Sequence, residues 1–376
     1  MKIPLLDLKA QFQSVRPEIE AAINRTLQSQ RFILGPAVEE FEKQIALYVG
    51  TEHAIGVSSG TDALLMCLMA LDMQPGDEII TTAFSFFATA GSIVRAGAQP
   101  VFLDIVPETF QLDVAGLANR IGPKTRAIIP VHLFGRCTSV EKIAALAPQI
   151  PVIEDAAQAL GAEQNGKKAG TLGLAGCFSF FPSKNLGGYG DGGIITVADS
   201  DFAKKLRALR VHGQIAGARY EHQLVGGNFR LDAIQAAILS AKLPYLEKWT
   251  EARRKNAQKY RELFRQSGVQ IILPPEDEPR SRDVYNQFVV RVRNRDQLSA
   301  FLTEHGIGNA VYYPQGLHTQ PCFSNLGYKR GDFPNTEKAA QECLALPVYP
   351  ELTDAQLCEV VERILEFQKK EPPHAT

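Results

Sequence analysis

The sequence predicts an α/β fold: a mostly parallel seven-stranded sheet flanked by helices, followed by a smaller C-terminal α/β domain. Three observations lead there. Between about residues 53 and 197, short apolar runs alternate with helix-like segments, the pattern of strand–helix crossovers. Several runs are almost continuously apolar, as in strands buried on both faces. At 376 residues the chain also exceeds the size at which one core stops growing, so one large and one small domain are expected.

The strands fall at His53–Ser58, Glu78–Thr82, Pro100–Asp104, Ala127–His132, Pro151–Glu154, Cys177–Phe180 and Gly193–Val197. Amphipathic stretches at Thr61–Leu71, Phe86–Ala96 and Val140–Ala147 supply covering helices. From Leu231 to Leu246, apolar Leu231, Ile234, Ala237, Ile238, Ala241 and Leu243 recur at helical spacing, and a charged helix follows at Glu247–Gln266. Beyond the turn-rich LPPEDEPRSRD come strand-like Asn286–Val292, a helix at Gln297–His305, strand-like Ala310–Tyr313 and a closing helix from Asp354. This assigns residues 1–245 to the large domain and 246–376 to the small one, with the first helices (Pro17–Arg31) packing on the small domain.

Composition removes several classes of function. Lys+Arg number 40 and Asp+Glu 41, for a net charge of −1, so there is no long-range pull on a nucleic acid. A small anion held at one local site remains open. The longest strongly apolar stretch, Leu64–Leu71, is far short of the roughly 20 residues that span a bilayer. The N-terminus lacks the apolar core of a signal peptide. Six scattered cysteines without a C-x-x-C pair suit a reducing compartment, and the histidines show no metal-ligand spacing. A cytoplasmic protein without metal is the expectation.

Two nucleotide fingerprints fail on inspection. Gly161-x-x-x-x-Gly166-Lys167 has Lys168 where a P-loop needs Ser or Thr for magnesium, and its Asn165-Gly166 pair reads as a hairpin turn. Gly188-x-Gly190-x-x-Gly193 leads into a strand, GGIITV, whereas the dinucleotide motif needs a helix N-terminus there.

A spaced set of residues carries more. Lys184 follows an aromatic stretch and precedes a glycine-rich run. Partly desolvated, it would be an amine nucleophile for a carbonyl; the plain alternative is a lysine on an exposed turn. Asp155, ending the run PVIED, could hold a protonated ring nitrogen or simply cap the next helix. Gly60-Thr61, opening a helix after a strand, offers free amides and the positive end of a helix dipole to an anion. Ser179 could add a hydroxyl to that anion, and Phe86 could stack on a planar ring. Jointly these supply a carbonyl-reactive amine, a carboxylate for a ring nitrogen, a phosphate cradle and a stacking aromatic, all from strand-end loops of one sheet. The combination specifies pyridoxal 5′-phosphate.

At these residues the chain resembles the pyridoxal phosphate-dependent nucleotide-sugar aminotransferases of the DegT/DnrJ/EryC1/StrS group. The matching pieces run collinearly: RFILGPAVEEFE, VSSGTDAL, TTAFSFFATA, AIIPVHLFG, VIEDAAQALGA, FSFFPSKNLGGYGDGG, GGNFRLDAIQAAIL, VYYPQGLH and LALPVYPEL. The resemblance implies the type I aminotransferase fold and a homodimer with shared active sites. It makes Lys184 the Schiff-base and proton-shuttling lysine, and Asp155 the partner of the pyridine nitrogen. Gln158 would face the ring's 3′-oxygen, Gly60, Thr61 and Ser179 would hold the phosphate, and Phe86 would stack on the ring. Asn228 would reach the neighbouring subunit's phosphate, and Arg230 and Tyr313 would contact the sugar nucleotide.

The resemblance further implies L-glutamate as amino donor and a nucleotide-linked keto-sugar as acceptor. Members acting on 3-keto sugars often read EDAAQ, and those acting on 4-keto sugars EDAAH. Gln158 therefore points to a 3-keto sugar of the UDP-2-acetamido-3-keto-glucuronate or dTDP-3-keto-6-deoxyhexose type, with a 4-keto acceptor as the alternative. A non-catalytic regulatory protein is the remote alternative; it would carry a DNA-binding extension, and the sequence shows no basic patch or helix-turn-helix that would serve as one.

Overall fold

The structure is a computed structural model and describes residues 2–214 and 220–370. Seven strands appear where the apolar runs place them: β1 (His53–Val57), β2 (Glu78–Thr82), β3 (Gln99–Leu103), β4 (Thr125–Ile129), β5 (Ile153–Asp155), β6 (Ala175–Ser179) and β7 (Gly193–Val197). They are buried along nearly their whole length, which explains the scarcity of polar–apolar alternation.

Strand pairing gives two blocks, β3-β2-β4 and β5-β6-β7-β1. Parallel bridges Ile128↔Val152 and Val131↔Asp155 join them into one sheet of order β3-β2-β4-β5-β6-β7-β1. The Asp155 amide donates to the Pro130 carbonyl and the His132 amide to the Asp155 carbonyl, both at 2.9 Å. β7 alone runs antiparallel to both its neighbours, β6 and β1. The carboxyl ends of the parallel strands thus share one edge, where ligands bind in open α/β sheets.

Helices α1 (Arg16–Ser29), α2 (Gly60–Ala70), α3 (Ala88–Arg95), α4 (Ala233–Lys242) and α5 (Leu246–Ser267) matter most for the site. The long pattern from Leu231 breaks between α4 and α5 at a 3-10 turn, Leu243–Tyr245, because Pro244 cannot donate within a helix. α2 is buried on nearly every side between the sheet and α3.

A separate C-terminal core gathers Tyr260, Phe264, Leu298, Leu357, Val360 and Ile364 around β8 (Phe288–Arg291) and its antiparallel partner β9 (Cys343–Leu346). The N-terminal segment divides. Ile3 and Leu6 pack into this C-terminal core, but α1 differs from the sequence expectation: its Ile19 and Ile23 meet Ile234 and Ile238 of α4. The apolar stripe of α4 faces outward from the sheet there, and α1 covers it. Ala310–Tyr313, expected as a strand, contributes one bridge, Ala310↔Ala345; beyond it the chain leaves β9 for the sheet edge.

Asn165 and Gly166 adopt φ of 52° and 78° between the short antiparallel strands Glu163–Gln164 and Lys167–Lys168, a two-residue hairpin as read from the sequence. Cys67, Cys137, Cys177 and Cys343 are free and buried.

Candidate active site

The loops after β1, β2, β5 and β6 converge on a cavity of about 610 Å³. Eight of the residues singled out in the sequence line it: Gly60, Thr61, Phe86, Asp155, Gln158, Ser179, Lys184 and Tyr313. Asn228 and Arg230 do not. Asn228 is exposed, and Arg230 pairs through its backbone with Val57 at the end of β1.

Asp155 is the last residue of β5 and is buried at 5% exposure. Thr89 Oγ1 donates to its Oδ2 at 2.7 Å, and the Ala157 amide to its Oδ1 at 3.3 Å. Desolvation is the larger influence and raises the carboxyl's pKa, while the Thr89 and Ala157 hydrogen bonds and nearby Lys184 and His132 pull it down. A cation at this carboxylate would relieve the burial cost.

Lys184 sits in a turn that begins as β6 ends, its amide donating to the Phe181 carbonyl at 2.8 Å. Burial lowers its pKa to about 8, with Asp155 acting the other way. An appreciable fraction of neutral amine is therefore present near neutral pH, the state that attacks a carbonyl.

Across the cavity, Ser59 caps α2 by accepting from the Asp62 amide at 3.1 Å. The Gly60 and Thr61 amides precede that first satisfied donor and have no acceptor within the helix. Ser179 lies beside them: a Cβ on Gly60 would stand 2.8 Å from the Ser179 Cβ. Two free amides, a hydroxyl and a helix N-terminus form a cradle for a phosphate dianion without a lysine or arginine.

Gln158 has both ends engaged. Its Oε1 accepts from the Phe134 amide at 2.6 Å, and its Nε2 donates to the Tyr313 hydroxyl at 3.3 Å. Phe86 is 57% exposed, with its ring 6.2 Å from that of Tyr313. Phe181, Ser183, Asp191, Gln287, Val311 and Tyr312 also line the cavity, and none was foreseen. Ser183 adjoins Lys184 in sequence, so proximity was a usable signal; Gln287 and Val311 reach the site by tertiary packing alone. Thr89 and Ser85 had a signal too, two hydroxyls four residues apart where the chain passes from β2 into α3.

The crowded glycines after Lys184 are explained by close approach of neighbouring protein. A Cβ on Gly187 would lie 2.2 Å from the Pro182 carbonyl oxygen, and one on Gly188 or Gly190 within 2.9 Å of the Gln235 side chain. On Gly193 it would lie 2.5 Å from the Ser59 carbonyl carbon. The glycines admit neighbouring protein.

The residues present fit pyridoxal 5′-phosphate: a dianion cradle at Gly60, Thr61 and Ser179, a buried carboxylate at Asp155 for the ring nitrogen, and a desolvated amine at Lys184 within one cavity. Fold and site together define a pyridoxal phosphate-dependent aminotransferase. The family model of the DegT/DnrJ/EryC1/StrS aminotransferase family matches residues 13–365, and the chain belongs to that family. It is 50% identical over 371 residues to a pleiotropic regulatory protein of Geobacillus stearothermophilus, covering 98% of this chain and 99% of the relative. It is 42% identical to the UDP-2-acetamido-2-deoxy-3-oxo-D-glucuronate aminotransferase of Pseudomonas aeruginosa, over 94% of this chain and 97% of the relative. The crystal structure of S. venezuelae DesV in complex with a ketimine intermediate superposes with a TM-score of 0.94 at 37% identity, covering 98% and 99% of the two chains. Among the described residues, no helix is long and apolar enough to cross a membrane.

Proposed function

We propose that this protein transfers an amino group from L-glutamate to the C3 keto group of a nucleotide-linked sugar. The observation that carries the reading is the joint presence of Lys184, with its lowered pKa, and buried Asp155 in one cavity. The acceptor class rests on the 3-oxo-glucuronate substrate in the name of the Pseudomonas relative and on Gln158 in EDAAQ. A 4-keto acceptor is not favoured.

Pyridoxal 5′-phosphate, when bound, supplies the aldehyde that takes up an amino group and the ring that stabilises negative charge at carbon. Asp155 would accept a hydrogen bond from the ring nitrogen and keep it protonated. Gly60, Thr61 and Ser179 would hold the phosphate, and Phe86 would cover one ring face. Lys184 removes the proton from the donor's Cα and, in the second half of the cycle, delivers one to C3 of the sugar. Gln158, fixed between the Phe134 amide and the Tyr313 hydroxyl, orients the ring's 3′-oxygen. Across a homodimer, exposed Asn228 would reach the neighbouring phosphate; Tyr313, which lines the cavity, would contact the sugar nucleotide, a role that Arg230, outside the cavity, does not share within this subunit.

The test is a panel of UDP- and dTDP-linked 3-keto and 4-keto sugars with glutamate as donor, product regiochemistry being read by NMR. Amination at C3 is expected, and turnover of 4-keto sugars alone overturns the assignment. The regulatory name of the Geobacillus relative motivates a second reading in which the bound cofactor is sensed and no acceptor is used. Absence of turnover across the whole panel, with the cofactor bound, would favour it.

A further inference from the structure

The turn that carries Lys184 is gripped from behind by one helix. α4 presents Gln235 and Lys242, two turns apart and so on the same face, to the glycine run that follows the lysine. Gln235 Oε1 accepts from the Tyr189 amide at 2.8 Å, and Gly188 and Gly190 lack side chains where Gln235 lies against them. Lys242, only 1% exposed, donates from Nζ to the Gly187 carbonyl.

Lys242 is an expensive way to satisfy one carbonyl. Among the described residues no carboxylate lies within ion-pair distance of it; Glu351 acts on it only at longer range. The rings of Tyr189 and Trp249 stand 5.3 and 5.8 Å from Nζ and return part of the lost hydration. Burial lowers the ammonium's pKa to about 8. A buried, unpaired cation is poor stabilisation, so its position asks for another reason. The carbonyl it holds belongs to the turn that fixes Lys184. That turn closes when the Gly188 amide donates to the Phe180 carbonyl at 2.8 Å and Gly187 folds onto Pro182.

We propose that Gln235 and Lys242 are a brace of positioning residues, which set where the Lys184 amine stands relative to Asp155 and the donor's Cα. The inference rests on Lys184 being the amine that bonds the cofactor. Loss of the cofactor's long-wavelength band in Lys184→Ala tests that premise separately.

The brace is tested on the cofactor-loaded enzyme with Lys242→Met, which keeps the stem and removes the ammonium, and Gln235→Met, which removes the acceptor. Gln235→Glu retains it. The readouts are the pH midpoint of the bound cofactor's absorption band, the single-turnover rate with glutamate, and Tm. Lys242→Met and Gln235→Met should each move the midpoint by about half a unit or more. They should slow the single turnover about tenfold with KM for glutamate within about twofold. Gln235→Glu should stay near the parent in both. An unmoved midpoint and an unchanged rate, alongside a lower Tm, would overturn the proposal and leave the helix a purely structural support. Should Lys242→Met fail to fold, the two Gln235 variants decide on the same criteria.

Discussion

Thr89 Oγ1 donates to Asp155 Oδ2 at 2.7 Å, with the Ser85 hydroxyl 2.9 Å behind it, so a buried relay from α3 and the loop before it fixes the carboxylate at the end of β5. Removing the donor in Thr89→Val leaves Asp155 less able to hold charge, and its pKa rises further. A hydrogen bond to a charged group contributes about 1.5–3 kcal/mol, so affinity for pyridoxal 5′-phosphate should fall about tenfold or more. Titration of apoprotein with the cofactor, followed by absorbance, measures it. Unchanged affinity would mean that the hydroxyl relay does not serve the ring nitrogen.

Asp155 itself is expected to serve function at a cost in stability. Its folded-state pKa is raised, so the folded apoprotein binds a proton more tightly than the unfolded chain. Stability is therefore lost as pH rises from the unfolded value of about 3.9 through the folded one. Asp155→Asn removes the charge at nearly constant volume. The apo variant should melt at or above the parent Tm at pH 8 while transamination collapses. A clearly lower apo Tm would show that the carboxylate stabilises the fold by itself.

Much of this site was legible because each residue follows a strand end, where sequence pattern and chemistry coincide. Asp155 closes an apolar run, Gly60 opens a helix, and Lys184 follows an aromatic strand. The glycines were legible as a cluster but not in purpose: Gly187 makes room for Pro182 in the same turn, Gly193 meets Ser59 only once β1 pairs with β7, and Gly188 and Gly190 meet Gln235 only after the helix from Ala233 folds back onto the sheet edge. Position also escaped for α1, since its apolar stripe matches either core and only packing against Ile234 and Ile238 decides. Gln287 and Val311 enter the cavity from the C-terminal part, and their local sequence carries no mark of it.

The Lys184 amine predicts a pH profile for cofactor capture. Its pKa is lowered to about 8 by burial, and Asp155 opposes that shift. The rate at which apoprotein takes up pyridoxal 5′-phosphate should therefore rise with pH around a midpoint near 8. Replacing Asp155 by Asn removes the opposing influence and should move the midpoint down. Stopped-flow absorbance across pH 6–10 checks both signs, and an upward move in Asp155→Asn would contradict the assignment.

Gly60 is constrained from two sides. A Cβ there would stand 2.8 Å from that of Ser179, closer than real side chains approach, and its amide belongs to the phosphate cradle. Gly60→Ala should push the first turn of α2 from β6 and weaken both the cofactor and competing inorganic phosphate. Ser179→Ala should lose only one hydroxyl, about 1 kcal/mol, and so cost less affinity than Gly60→Ala. Equal losses would mean that the hydroxyl, and not the backbone, dominates the cradle.

Beneath the site, Glu154 is fully buried and takes hydrogen bonds from four donors. The amides of Gly170, Leu172 and Gly173 donate to it at 2.7–2.8 Å. His132 Nδ1 accepts from the Thr138 amide at 3.0 Å, which leaves the proton on Nε2, 2.8 Å from Glu154 Oε2. This carboxylate ties β5 to the chain after β4 and to the turn before β6, one residue from Asp155. Glu154→Gln must place an amide where donors already point, leaving at least one buried donor opposed. The cost should be about 3 kcal/mol or more, seen in urea unfolding of apoprotein. Because the lost contacts hold the strands and not the ring, the surviving folded fraction should keep a cofactor affinity within a few-fold of the parent's. A loss of affinity without a loss of stability would move Glu154 from the scaffold into the site.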